Sequence, residues 1–331
     1  MEKDPLIDFP TLEESIKAIQ KLEKYKFPKF KESDNQNINE FKKNVLAPIE
    51  KEFKAYPHLL QPKKCNEFNL NLFRVRDLST FTNPDIFLEH SHPPSHMTKM
   101  GRCNFPKTPV FYCSNDPGTS LFEVIRDNDF EKKQFCISRW KVKPTEEILF
   151  FENFLRSPLP KENTFKEMNS TLVEKLDQIF EKKLSLDKRE GLIKYLEYLD
   201  NCFISDDSYS LSATIAHNSL FRDHDTRTDI LMYPSRQSNL KSVNLAINPN
   251  FVNNNMFVDR FYVVEVNNLS VDKSTYNLTF MQYGTVVNRL TYWRKIIEKD
   301  DLFEEYVISD FGRSFYNQID PLKNIRQNNK L

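Results

Sequence analysis

Residues 100–126 read MGRCNFPKTPVFYCSNDPGTSLFEVIR, and residues 228–249 read TDILMYPSRQSNLKSVNLAINP. The first run passes from loop to strand to helix. Its PVFYCS segment, 109–114, has the aromatic and β-branched content of a short strand. Asp116-Pro117 follows in the order cap, then proline at the first turn, so a helix opens there and is predicted to reach about residue 128. The second run carries two further strands, at 229–233 and 243–247.

Working outward, strands are predicted at 71–77, 134–142, 257–266 and 276–286. Helices are predicted from Thr11, where Thr11 and Glu14 fit a capping box, and from Ile38, bent or ended at Pro48. Residues 27–37 read as a linker. Two helices fill 165–200, with a break near 184–188, and another spans 208–221. The tail from Tyr292 reads as helical and ends in a polar, frayed segment, and Asn253-Asn254-Asn255 reads as a short polar turn. Strands and helices mix without β-α alternation, which predicts an α+β fold rather than a doubly wound parallel sheet. The expected division is a helical N-terminal extension (1–62), a catalytic domain (63–290) and a C-terminal helical tail packed on it (291–331).

With 28 Phe and 13 Tyr in 331 residues, the chain can fill a sizeable core. Lys+Arg and Asp+Glu are equal at 47 each, an argument against direct nucleic-acid binding, which favours a basic surplus. The five glycines stand at least seventeen residues apart, so neither a G-x-G-x-x-G fingerprint nor a Walker-type loop exists. A nucleotide would have to be held by side chains. The five cysteines form no C-x-x-C pair and read as free thiols of a reducing cytosol. The start, MEKDPLIDF, lacks an apolar signal core, and no stretch approaches the length of a membrane span. A cytoplasmic protein without membrane contact is expected.

Arg102, in the loop GRCN, is either a solvated loop arginine or a phosphate grip. Arg74 and Arg76 alternate on a strand and point to one face, where a salt bridge or an anionic ligand must meet them. Tyr112 is either core or a ring that stacks on a flat ligand. Glu123 is the single charge in LFEVI. A helical projection puts it nearly opposite Leu121, Val124 and Ile125, hence in solvent unless that face lines a cleft. Ser120 also permits a capping-box role for it. Ser235 follows a strand but lies in no G-x-S-x-G elbow, so it reads as a hydrogen-bonding residue and not a nucleophile, with Asn244 as a polar neighbour. His90, His92 and His96 lie in a proline-rich loop without a metal-site context, so no metal is expected. His217 reads as structural.

These residues give the chain its resemblance to the RES-domain family, named for arginine, glutamate and serine. The matching elements are FRVR at 73–76, GRCN at 101–104, PVFY at 109–112, SLFEV at 120–124, YSLSATIA at 209–216 and DILMYPS at 229–235. They run from about residue 70 to 250. The resemblance implies a fold related to ADP-ribosyltransferase toxins, with a mixed sheet and surrounding helices. It implies an enzyme that consumes NAD+ as substrate, breaking the nicotinamide–ribose bond with inorganic phosphate or water as acceptor. It also implies, for many members, a bacterial toxin with a helix-turn-helix antitoxin as partner. By the same match the catalytic residues are Glu123, Arg74 and Arg102, and Tyr112, Ser235, Arg76 and Asn244 bind substrate. Either Arg74 or Arg76 is the family's first arginine. A protein ADP-ribosyltransferase, or a nucleotide-binding module without catalysis, are the alternatives. The second is motivated by Lys107 and Thr108, which stand where family members usually carry glycine.

Overall fold

The structure, a computed structural model, describes residues 6–31, 37–54, 60–125, 130–157, 159–163, 165–223, 227–270 and 275–319. The frayed end of the tail predicted from sequence lies outside them. The fold is α+β: a mixed sheet flanked by helices, with a helical N-terminal region.

The helices are α1 (Leu12–Lys24), α2 (Ile38–Phe53), α3 (Pro117–Val124), α4 (Lys166–Phe180), α5 (Leu186–Ser205), α6 (Ser210–Leu220), α7 (Pro249–Asn255), α8 (Asp301–Phe311) and α9 (Arg313–Tyr316). The strands are β1 (Gln61–Lys64), β2 (Leu72–Asp77), β3 (Phe111–Ser114), β4 (Gln134–Val142), β5 (Ile148–Asn153), β6 (Ile230–Pro234), β7 (Val243–Ile247), β8 (Met256–Leu269), β9 (Tyr276–Val287) and β10 (Leu290–Lys295). Among the described residues these strands form one sheet in the order β1-β5-β6-β7-β3-β2-β4-β8-β9-β10. Neighbours are antiparallel except β5 and β6, which are parallel.

The capping box at Thr11 and Glu14 is present and starts α1. Helix α1 lies against α5 at Gly191, where an added Cβ would stand 2.6 Å from the Pro10 carbonyl oxygen. Only glycine permits that approach. Helix α2 runs through Pro48 instead of stopping there, because Ile49 and Phe53 beyond it are fully buried. Helices α1, α2, α5 and α6 share one apolar core with Leu231, Tyr233 and Ala246 on one face of the sheet. The opposite face of the same strands presents Ile230, Met232, Val243, Leu245 and Ile247 to Phe251 and Trp140. Strands β6 and β7 are therefore buried on both sides.

A third core joins Phe73 and Val75 of β2, Leu121 and Ile125 at α3, and Phe303 and Val307 of α8. Asp310 fastens α8 to the sheet by accepting from Arg139 and from the Tyr262 hydroxyl, each at 2.6 Å. Three sequence expectations change. Helix α3 ends at Val124, not near 128. Tyr292 lies in strand β10, so the tail starts as a sheet edge before α8. Asn253, Asn254 and Asn255 are the last turn of α7.

The sheet is not continuous through its middle. Strand β2 runs in register with β4 along its whole length, from Leu72↔Trp140 to Asp77↔Phe135. Strand β3 does the same with β7, from Phe111↔Ile247 to Ser114↔Asn244. Yet β2 and β3 meet only at Phe73↔Ser114 and then part.

Candidate active site

The parting of β2 and β3 leaves backbone groups on both strands without a ladder partner, and such groups must be satisfied otherwise. Arg74, the first residue past the junction, does this for β3: its Nη1 donates to the Tyr112 carbonyl oxygen at 2.9 Å. Burial lowers the Arg74 guanidinium to about 10, with the neighbouring charge of Arg76 adding to the effect. It stays a cation at neutral pH. Its Nε is buried without a hydrogen-bond partner among the described residues.

A cavity of about 340 Å³ opens at this split. Arg74, Arg102, Asn104, Tyr112, Ser120, Glu123, Tyr209, Tyr233 and Asn244 line it, together with the loop at 97–100. Arg102 projects from a tight turn, its Nη1 donating to the Phe203 carbonyl and its guanidinium 5.1 Å from the centre of the Tyr209 ring. No carboxylate pairs with Arg74 or Arg102 among the described residues. Two guanidiniums thus share the cavity with one carboxylate, which makes its side-chain charge positive on balance.

That carboxylate is Glu123. Helix α3 is started by Asp116, whose carboxylate accepts from the Thr119 backbone at 2.6 Å. The cap is therefore Asp116, and Ser120 acts differently, its hydroxyl donating to the Phe73 carbonyl on β2. This bond ties the helix of Glu123 to the strand of Arg74. Glu123 Oε1 accepts from Ser235 Oγ at 2.8 Å and from Asn244 Nδ2 at 2.7 Å. Ser235 is fully buried behind the acid, where strand β6 ends and its hydroxyl also accepts from the Ser238 backbone. Asn244 comes from β7, directly beside Ser114 and Tyr233. Glu123 is not the solvent-facing residue of the helical projection. The helix is too short for that projection: Ile125 leaves it and is buried, while Val124 is exposed and lines the cavity beside Glu123.

Arg76 goes elsewhere. Its guanidinium donates to the carbonyls of Glu89 and Thr80 and lies 4.2 Å from the Phe81 ring centre. It straps down the loop after β2 and does not line the cavity. Tyr112 lines the cavity, but its hydroxyl is engaged, accepting from the Cys103 backbone at 2.7 Å and donating to Asn104 Oδ1 at 2.8 Å. Burial pushes its pKa well above the usual value for a phenol, so it stays protonated.

None of the described histidines lines the cavity. His90 is buried, with Nε2 donating to the Pro84 carbonyl at 2.8 Å. Nδ1 is then an acceptor for the Cys136 thiol at 3.4 Å. His217 stands against Lys42 and the rings of Phe105 and Phe221. Burial lowers both histidines to about 4. No cluster of three His, Cys, Asp or Glu suited to a metal occurs among the described residues. Nor is any described helix long and apolar enough to cross a membrane.

Sequence reasoning passed over Asn104, Ser120 as a tie between elements, Tyr209 and Tyr233. Asn104 carried a faint signal, a lone amide between Cys103 and Phe105. Tyr209 carried none in the chain: it takes a left-handed backbone (φ 57°) just before α6, a conformation set by its tertiary setting.

An acid held by a serine and an asparagine shares one cavity with two guanidiniums in a split mixed sheet of an α+β protein. The family model of the RES domain matches residues 71–257, more than half of the chain, and the chain belongs to that family. Every residue of the site from Arg74 to Asn244 lies within the matched part. Comparison with curated proteins and with solved structures gives no match.

Proposed function

We propose that the protein consumes NAD+ by breaking its nicotinamide–ribose bond and passing the ADP-ribosyl group to inorganic phosphate or water. The observation that carries this is the convergence of Glu123, held by Ser235 and Asn244, with Arg74 and Arg102 on one cavity. As the C–N bond breaks, its electron pair goes to the pyridinium nitrogen and nicotinamide leaves as a neutral ring. The ribose carbon becomes oxocarbenium-like. A carboxylate fixed in place stabilises that charge more in the transition state than in the ground state. The acceptor oxygen then bonds to the same carbon through a lone pair, and where water is the acceptor its proton is released to solvent.

Arg74 and Arg102 are the groups that meet the phosphates of the dinucleotide and a phosphate acceptor. The cavity is at the small end of ligand sites, which run from roughly 300 to 1,000 Å³. It suits the nicotinamide riboside end of the substrate, with the rest extending toward the mouth. Ser235, spent on holding Glu123, is an orienting donor.

The test is to incubate the purified protein with NAD+, with and without phosphate, and identify the products. ADP-ribose phosphate formed only with phosphate supports phosphorolysis, and ADP-ribose in its absence supports hydrolysis. Intact NAD+ under both conditions would end this proposal.

A further inference from the structure

We propose that Asn104 is the positioning residue for Arg102, fixing the turn from which that guanidinium enters the cavity. The turn spans Gly101 to Asn104 and closes on itself: Gly101 N donates to Asn104 O at 3.0 Å, and Asn104 N to Gly101 O at 3.4 Å. The Asn104 side chain is buried and makes three further bonds. Nδ2 donates to the carbonyls of Lys99 at 2.8 Å and Phe105 at 2.9 Å. Oδ1 accepts from the Tyr112 hydroxyl at 2.8 Å. Two carbonyl neighbours on one side and a hydroxyl donor on the other fix which end of the amide is which.

Tyr112 completes the ring by accepting from the backbone of Cys103, the residue after Arg102. The turn is thereby pinned to β3 through one side-chain amide. The packing admits no added bulk: a Cβ on Gly101 would stand 2.5 Å from Asn104 Oδ1 and 3.1 Å from Tyr112 Oη. Asn104 thus sets the base of the Arg102 side chain, while the Phe203 carbonyl and the Tyr209 ring meet its tip. A buried amide with all its bonds made specifies one arrangement, and truncating it takes a donor from the Lys99 carbonyl and the acceptor from the Tyr112 hydroxyl, while the Phe105 carbonyl keeps Thr108.

The turnover arm of the test rests on the NAD+ proposal. A double-mutant cycle compares Asn104→Ala in the native background and in Arg102→Ala. We expect kcat/KM to fall about tenfold or more in the native background, the scale of a misplaced catalytic group. We expect a further change of less than about threefold once Arg102 is gone, because the two residues act as one unit. Equal losses in both backgrounds would overturn the proposal, as would no loss in either. Tyr112→Phe, which removes one of the three bonds and keeps the ring, serves if Asn104→Ala does not fold, with the same background dependence expected.

A second arm does not need NAD+ turnover. The 15N NMR signal of the Arg102 Nε–H reports the order of that side chain. It should become mobile in Asn104→Ala while the Arg74 signal holds. An unchanged Arg102 signal would overturn the proposal even if turnover fell. A protein without NAD+ turnover would leave this arm to decide alone.

Discussion

Ser235 and Glu123 stand 112 positions apart in the chain and 2.8 Å apart in space, hydroxyl to carboxylate. The serine donates its hydroxyl hydrogen to the acid, and in the proposed reaction it orients that acid. A hydrogen bond to a charged group contributes about 1.5–3 kcal/mol. Ser235→Ala should lower kcat by roughly ten- to a hundredfold, with KM little changed, since the role proposed for the acid lies in the transition state. Steady-state kinetics on NAD+ measures this split. A variant with native kcat would remove Ser235 from the mechanism.

Glu123→Gln keeps a carbonyl oxygen that accepts from both Ser235 and Asn244, so the local structure should survive. The negative charge is lost, and turnover should fall at least about a hundredfold. Circular dichroism and Tm, read beside NAD+ consumption, separate loss of chemistry from loss of fold.

Arg74 and Arg76 share a strand and differ in what they touch. Arg74→Ala should cut NAD+ affinity by about tenfold or more, the scale of a lost charged hydrogen bond. Arg76→Ala should leave contacts at the cavity intact but loosen residues 77–90, which its bonds to Thr80 and Glu89 hold. Calorimetric titration and limited proteolysis should therefore single out different variants. Equal effects in both assays would contradict this division.

Acid should unfold the protein through His90 and His217, both lowered by burial from 6.5 to about 4. Each is neutral in the fold, while the unfolded chain takes up protons from about pH 6.5 downward. Their contribution is whole above that pH and fades as pH falls toward 4. The loss should reach about 2 kcal/mol per histidine by pH 5. Urea denaturation at pH 7.5, 6 and 5 tests this, and His217→Gln should flatten part of the slope.

Lys107 holds a left-handed backbone, φ 64°, while its N–H donates to the Thr98 carbonyl at 3.1 Å. This is backbone that favours glycine, and here a lysine holds it. The conformation costs a non-glycine residue about 1–2 kcal/mol. Lys107→Gly should raise the denaturation midpoint and leave activity unchanged. A lower midpoint would mean that the lysine side chain contributes more than the strain removes.

Local patterns made much of the fold legible. The capping box marked α1, and the apolar runs marked β4 and β7 to the residue. Strand β5 escaped because ILFFEN opens with four apolar residues in a row and shows no alternation of residue type beside its parallel neighbour. Strand β10 escaped because Tyr292 to Lys295 reads as well for a helix, and only pairing with β9 decides. At the site, residue types were legible but their directions were not. Whether Glu123 faced water or a cleft depended on where α3 lies over β2, which the Ser120–Phe73 bond sets across 47 positions. Arg74 and Arg76 were indistinguishable until the loop after β2 was seen to claim the second.

The single-pair junction of β2 and β3 has a consequence for how this protein can change. Ordinary selection for robustness would zip strands together, since each added backbone pair is favourable. Here zipping 74–76 onto 111–113 would expel Arg74 from its carbonyl and fill the space where the acid and both guanidiniums meet. The weak seam is thus a trade of sturdiness for use, of the kind engineered stabilisation tends to undo. A variant toughened along this line should outlast its parent in heat and do nothing with a ligand.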